Sequence, residues 1–124
     1  MADARELAGF RRAAVADESG EDGPLFAPGK CHSRQSNKPL NVLHVKDDAG
    51  EIGLAVYMQL ASSRCSAAGD GTSFRLVFLS DVKLVLEVKG RELLSVYDYV
   101  CQGRISYLQP IAGGVVESIS FEEE

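Results

Sequence analysis

The stretch Val82–Gln109, VKLVLEVKGRELLSVYDYVCQGRISYLQ, constrains this chain more than any other. In Val82–Lys89, the apolar residues Val82, Leu84, Leu86 and Val88 alternate with Lys83, Val85, Glu87 and Lys89. A period of two is that of a strand with one buried face. After Gly90 the period changes. Leu93, Val96, Tyr97, Val100 and Cys101 recur at the three/four spacing of one helix face. Gly103 should stop that helix, because glycine takes the left-handed conformation without a Cβ penalty. Arg104 opens a second alternating run. The joints are so short that the helix must fold straight back onto the sheet. A parallel crossover here would be right-handed. The pattern leaves open whether the two strands are neighbours.

Three hairpins account for the remaining strand signals. Leu40–Leu60 turns at Asp47-Asp48-Ala49-Gly50, good turn chemistry with glycine last. Pairing Lys46 with Glu51 sets Val45 opposite Ile52, Leu43 opposite Leu54 and Asn41 opposite Val56 on an apolar face. The other face then carries His44 opposite Gly53 and Val42 opposite Ala55, with Tyr57 opposite Leu40. A one-residue slip would mix the two faces. Phe74–Leu79 pairs with Val82–Val88 around Leu79-Ser80-Asp81, matching Phe78 with Val82, Leu76 with Leu84 and Phe74 with Leu86. Arg104–Glu122 turns at Ala112-Gly113-Gly114, with Tyr107 opposite Ile119 and Gln109 opposite Glu117. Between the first two hairpins, Ala61–Ser73 reads as a patternless loop.

The fold class is therefore α+β. It comprises a mostly antiparallel, curled six-stranded sheet of three hairpins and one packed helix between strands four and five. A small β-barrel with a helix is the alternative. Residues 30–124 form a single domain. Residues 1–29 form an arm with a weak helix over Ala2–Ala16 and a linker-like acidic stretch, Asp17–Gly29. Leu25 and Phe26 would pin that arm to its own domain or to a second subunit.

Composition excludes several classes of function. The 124 residues are 45% hydrophobic and 25% charged, ordinary values for a globular chain. No apolar run nears the ~20 residues of a membrane span, and the N-terminus lacks a secretory h-region. Three widely spaced cysteines read as free thiols in a reducing cytoplasm. A net charge of −5 argues against nucleic acid as a partner. Lys30, Arg34, Lys38 and Lys46 lie in a stretch without acids, but no aromatic platforms interleave them.

The chemistry-bearing residues are few. His44, Gly53, Ala55 and Tyr57 would share the outer face of the first hairpin, a shallow floor beside a histidine that titrates near neutrality. Cys31, His32, His44, Cys65 and Cys101 lack the short paired spacing of a zinc site, so neither a metal nor a cofactor is expected. No GxSxG elbow is present, and a Cys31-His32 neighbour pair does not make a catalytic dyad. Gln109 beside Glu117 would set a carboxylate in an apolar row. Tyr99 falls off the helix's core face and suits an interface.

Several strands carry apolar residues on both faces, more than one helix can cover. That surplus favours a non-enzymatic protein-interaction module that self-associates, as a homodimer, through the second sheet face or an edge. The alternative is a small-molecule binding protein or enzyme with a pocket at His44 and Tyr57, closed by the 61–73 loop.

Overall fold

The computed structural model describes residues 25–124. The helix expected over residues 2–16 and the acidic stretch up to residue 24 lie outside the described residues. In chain order the elements are β1 (Val42–Lys46), β2 (Ile52–Val56), β3 (Leu60–Cys65), β4 (Ser73–Leu79), β5 (Lys83–Gly90), α1 (Leu94–Cys101), β6 (Tyr107–Leu108) and β7 (Val116–Glu123). Mixed α+β is correct, but six strands in one curled sheet is not. The strands form two sheets, β2-β1-β6 and β3-β4-β5-β7, and they do not close into a barrel.

The four-stranded sheet follows from period-two alternation. Phe74, Leu76 and Phe78 of β4 pair with Val88, Leu86 and Leu84 of β5. On the far side of β5, Val88 meets Ile119 and Leu86 meets Phe121 of β7. This face is buried as the sequence implies, although the β4–β5 register differs by two residues. The turn occupies Ser80–Val82, and the Ser80 N–H donates to the Val82 carbonyl at 2.9 Å. An even shift leaves every side chain on its own face.

The first hairpin differs by one residue, which is the shift that matters. Asp47 and Glu51 close a three-residue loop, Asp48-Ala49-Gly50. The Asp47 N–H donates to the Glu51 carbonyl at 2.9 Å, and Asp47 Oδ1 accepts the N–H groups of Ala49 and Glu51. Gly50 takes φ +84°, as the glycine of a bulged three-residue hairpin must. Lys46 consequently pairs with Ile52, His44 with Leu54 and Leu43 with Ala55. Gly53 and Ala55 turn inward beside Leu43 and Val45, while Ile52 and Leu54 turn outward. Gly53 faces in because Phe121 of the other sheet fills the space above it. A Cβ on Gly53 would lie 2.7 Å from that ring.

The third hairpin does not form. Its turn exists, with Gly114 donating to the Ile111 carbonyl at 2.9 Å and Gly113 at φ +81°. Its arms join different sheets. β6 pairs in parallel with β1 (His44 with Tyr107, Val45 with Leu108), and β7 pairs with β5. Pro110, which has no N–H for a ladder, follows β6 closely. Ala61–Ser73 is also only in part a loop, since its first residues belong to β3, paired with β4 across a bulge near Leu60. Small polar residues with little strand pattern are tolerated there because β3 is an edge.

Helix α1 ends as its sequence dictates. Gly103 at φ +72° donates to the Val100 carbonyl, and Arg104 donates to the Tyr99 carbonyl, the paired bonds of a Schellman cap. Leu93, Val96 and Val100 are buried in one cluster with Leu43 and Val45 of one sheet and Leu76 and Leu86 of the other. The helix thus connects β5 of one sheet to β6 of the other, so there is no crossover within a sheet. Among the described residues no helix is long and apolar enough to cross a membrane.

Candidate functional site

Each sheet has two edges, and three of the four are guarded. Beyond β6, His32 bridges to Leu108 and the Gln109 N–H donates to the Cys31 carbonyl. Beyond β7, Asp48 occupies the backbone of Ile119. β3 is bulged and polar, and the Tyr97 hydroxyl of α1 hydrogen-bonds Ser63 Oγ at 2.8 Å. A short, charged or irregular strand is the usual protection of an edge.

β2 has none of these devices among the described residues. Tyr57 donates to the Asn41 carbonyl at one end of the hairpin, and Asp47 donates to the Glu51 carbonyl at the other. Hydrogen-bonded pairs alternate along an antiparallel ladder. Leu43/Ala55 and Val45/Gly53 therefore bond each other, and Ile52, Leu54 and Val56 turn their N–H and C=O groups away from β1. The His44 N–H confirms the alternation by donating across to Ser106 on the β6 side. The same residues expose apolar side chains, Ile52 at 56% and Leu54 at 47%, and Met58 just beyond is 92% exposed. No charge, proline or bulge interrupts Ile52–Val56.

The residues expected to build a pocket are not brought to one face. His44 is half-buried on the outer face beside Leu54. Burial holds its pKa below the usual histidine value, while interaction with the Ser106 backbone pulls the other way. Gly53 and Ala55 lie on the inner face, and Ala55 is fully buried. Tyr57 follows β2 in a 3-10 turn, where its hydroxyl donates to the Ile105 carbonyl at 2.6 Å. Burial pushes its pKa well above the ordinary tyrosine value. The stretch expected to close over them contributes β3 to the other sheet.

The expected interface residues are split as well. Phe26 packs edge-on against Tyr107 at 5.2 Å, with the Lys46 ammonium 4.8 Å from its ring. Leu25 beside it is exposed. Tyr99 is half-buried, with the Arg104 guanidinium 5.8 Å from its ring. The Gln109–Glu117 pair does not exist. Gln109 is buried and donates to the carbonyls of Ala27 and Lys30, each at 2.8 Å, whereas Glu117 is exposed.

Cys31, Cys65 and Cys101 are free thiols, and burial pushes the Cys65 thiol up, with nearby Cys101 adding to the shift. Among the described residues no three His, Cys, Asp or Glu side chains gather as metal ligands would. A shallow groove of about 410 Å³ runs over the other sheet; Cys65, Phe74 and Val88 contribute to its lining, and its polar side chains are those of Arg64, Ser66, Ser73, Arg75, Glu87 and Lys89. These residues are far apart in the sequence and meet only through strand pairing, so no local motif announces them. The open edge of β2 was hidden differently, by a register that the apolar pattern argued against. Neither the family models, the curated proteins nor the solved structures compared with this chain gave a match.

Proposed function

We propose that this chain is a non-enzymatic interaction module that forms a homodimer by antiparallel pairing of β2 with β2 of a second copy. The open edge at Ile52, Leu54 and Val56 carries the reading. Strand addition to an exposed edge draws its affinity from main-chain hydrogen bonds and its selectivity from alternate side chains. A two-fold axis through Leu54 would match Leu54 with Leu54 of the second copy, and Ile52 with its Val56. Every pair is apolar, and about six main-chain hydrogen bonds would form. The result is a continuous sheet, β6-β1-β2 joined to its own copy, with Met58 beside the seam. A five-residue contact falls below the ~1,200 Å² of standard interfaces, so the dimer is a weak, concentration-dependent one. Three free thiols accord with a reducing, cytoplasmic setting. The small-molecule reading at His44 and Tyr57 draws on no comparable observation, because its four residues are spread over two faces and a turn.

Sedimentation velocity across a concentration series tests the proposal. Wild type should shift from monomer toward dimer. Leu54→Lys should stay monomeric, since the axis sets two lysines opposite each other. Mixing Leu54→Lys with Leu54→Glu should restore a dimer that neither variant forms alone. A wild type that remains monomeric at millimolar concentration would end the reading.

A further inference from the structure

We infer that the groove across β3, β4 and β5 is a binding site for a phosphate dianion, free or as a phosphomonoester. In the β3–β4 ladder Arg64 lies directly opposite Arg75. Like charges facing each other across a sheet destabilise it. Glu87, opposite Arg75 on β5, relieves only half of that conflict, because its carboxylate binds Arg75 Nε at 3.2 Å. The terminal nitrogens of Arg75 remain for another acceptor. Neither Arg64 nor Lys89 has an acidic partner among the described residues.

Lys89 adds a third cation one pleat along the same face, where it pairs with Ser73. Ser73 and Ser66 bring hydroxyl donors to the same groove, and the Ser66 N–H bonds the Ser73 carbonyl at 2.9 Å, fixing that wall. Three cations thus face one carboxylate in a chain whose net charge is −5. The local excess of two positive charges matches a phosphate dianion. Guanidinium groups bind such an oxyanion through paired hydrogen bonds, and a dianion between Arg64 and Arg75 would turn their repulsion into two attractions. The volume of about 410 Å³ lies in the range of small-molecule sites. The groove lies on the sheet that does not contain β2, so the site does not depend on the dimer.

The test is an NMR titration of the full chain with inorganic phosphate, with sodium chloride at matched ionic strength as the control. Saturable shifts at Ser66, Ser73, Arg75 and Lys89 are expected with phosphate and not with chloride. Arg64→Gln should weaken binding by about tenfold, as removal of a charge-assisted pair does. Glu87→Gln should tighten it, since the competing carboxylate is gone. Both side chains point to solvent or the groove, so unchanged spectra elsewhere will show that the variants fold. Phenyl phosphate binding more tightly than inorganic phosphate would assign the site to a phosphomonoester, and equal binding would assign it to the free ion. Shifts that rise without saturation and match those with chloride would overturn the site. So would binding that survives Arg64→Gln unchanged.

Discussion

Asp48 clasps the backbone of Ile119 on both sides of its Cα, engaging its N–H and its carbonyl. Its N–H donates to the Ile119 carbonyl at 3.0 Å, and its carboxylate accepts the Ile119 N–H at 2.8 Å and the Ser118 hydroxyl at 2.7 Å. One turn residue of the first hairpin therefore ties the three-stranded sheet to the outer edge of β7. The Ser118 hydroxyl, then the Ile119 N–H, hold the carboxyl below the usual aspartate range. A depressed folded pKa stabilises the fold above the unfolded value, and that stability is lost as pH falls through the folded value. Asp48→Ala should cost about 1 kcal/mol at neutral pH, at the modest end because the group is exposed. Urea unfolding at pH 7 and pH 3 checks this. The gap between variant and wild type should shrink below about pH 4.

Gly53 exists to admit Phe121. Gly53→Ala places a methyl 2.7 Å from the ring, which must rotate or retreat. The expected loss is about 1–2 kcal/mol, typical of overpacking. Phe121→Leu alone should also destabilise, by loss of buried ring area. The two changes together should cost less than their sum, because the shorter side chain leaves room for the methyl. A double-mutant cycle in thermal or chemical unfolding reads the coupling. Strict additivity would show that the two positions do not share one space.

These two contacts also mark where sequence reasoning stopped. The buried faces of β4, β5 and α1 were legible because each has one strong period, and a misplaced turn of even shift does no harm. Gly103 was legible because a helix end requires its conformation locally. The faces of β2 were not. Ile52, Leu54 and Val56 are more apolar than Gly53 and Ala55, so hydrophobicity argued for the wrong face, and only Phe121, distant in sequence, explains the choice. The Ala112–Gly114 turn was also legible, but a turn does not determine which strand each arm joins. The groove across β3, β4 and β5 depends on the pairing of three strands, and no local spacing encodes it.

Gln109 anchors the segment that carries Phe26. Its amide nitrogen donates to two carbonyls, Ala27 and Lys30, at 2.8 Å each, and its side chain is the one buried polar group in the described core. Gln109→Leu is close in volume but leaves both carbonyls without that donor. The expected cost is about 1–3 kcal/mol. Hydrogen exchange should show faster exchange at Phe26 and Cys31 before the four-stranded sheet is affected. Uniform acceleration throughout would mean that the arm and the sheets unfold as one unit.

His44 gives the outer face of β1 a pH dependence. Burial favours its neutral form, so its pKa lies below the histidine value of 6.5. A lowered folded pKa means that the unfolded chain binds the proton more readily. The contribution is complete above about pH 6.5 and is lost as pH falls through the folded value. NMR should place the His44 midpoint below 6.5, and His44→Gln should flatten the stability profile between about pH 7 and pH 5. His44 pairs with Leu54 across the hairpin, so the proposed association through β2 would add a second effect. Covering Leu54 removes more water from the imidazole, and the midpoint should fall further as protein concentration rises. That drift should vanish in Leu54→Lys, which separates burial within the monomer from burial at the seam. A midpoint independent of concentration in a sample shown to dimerise would place the contact somewhere other than β2.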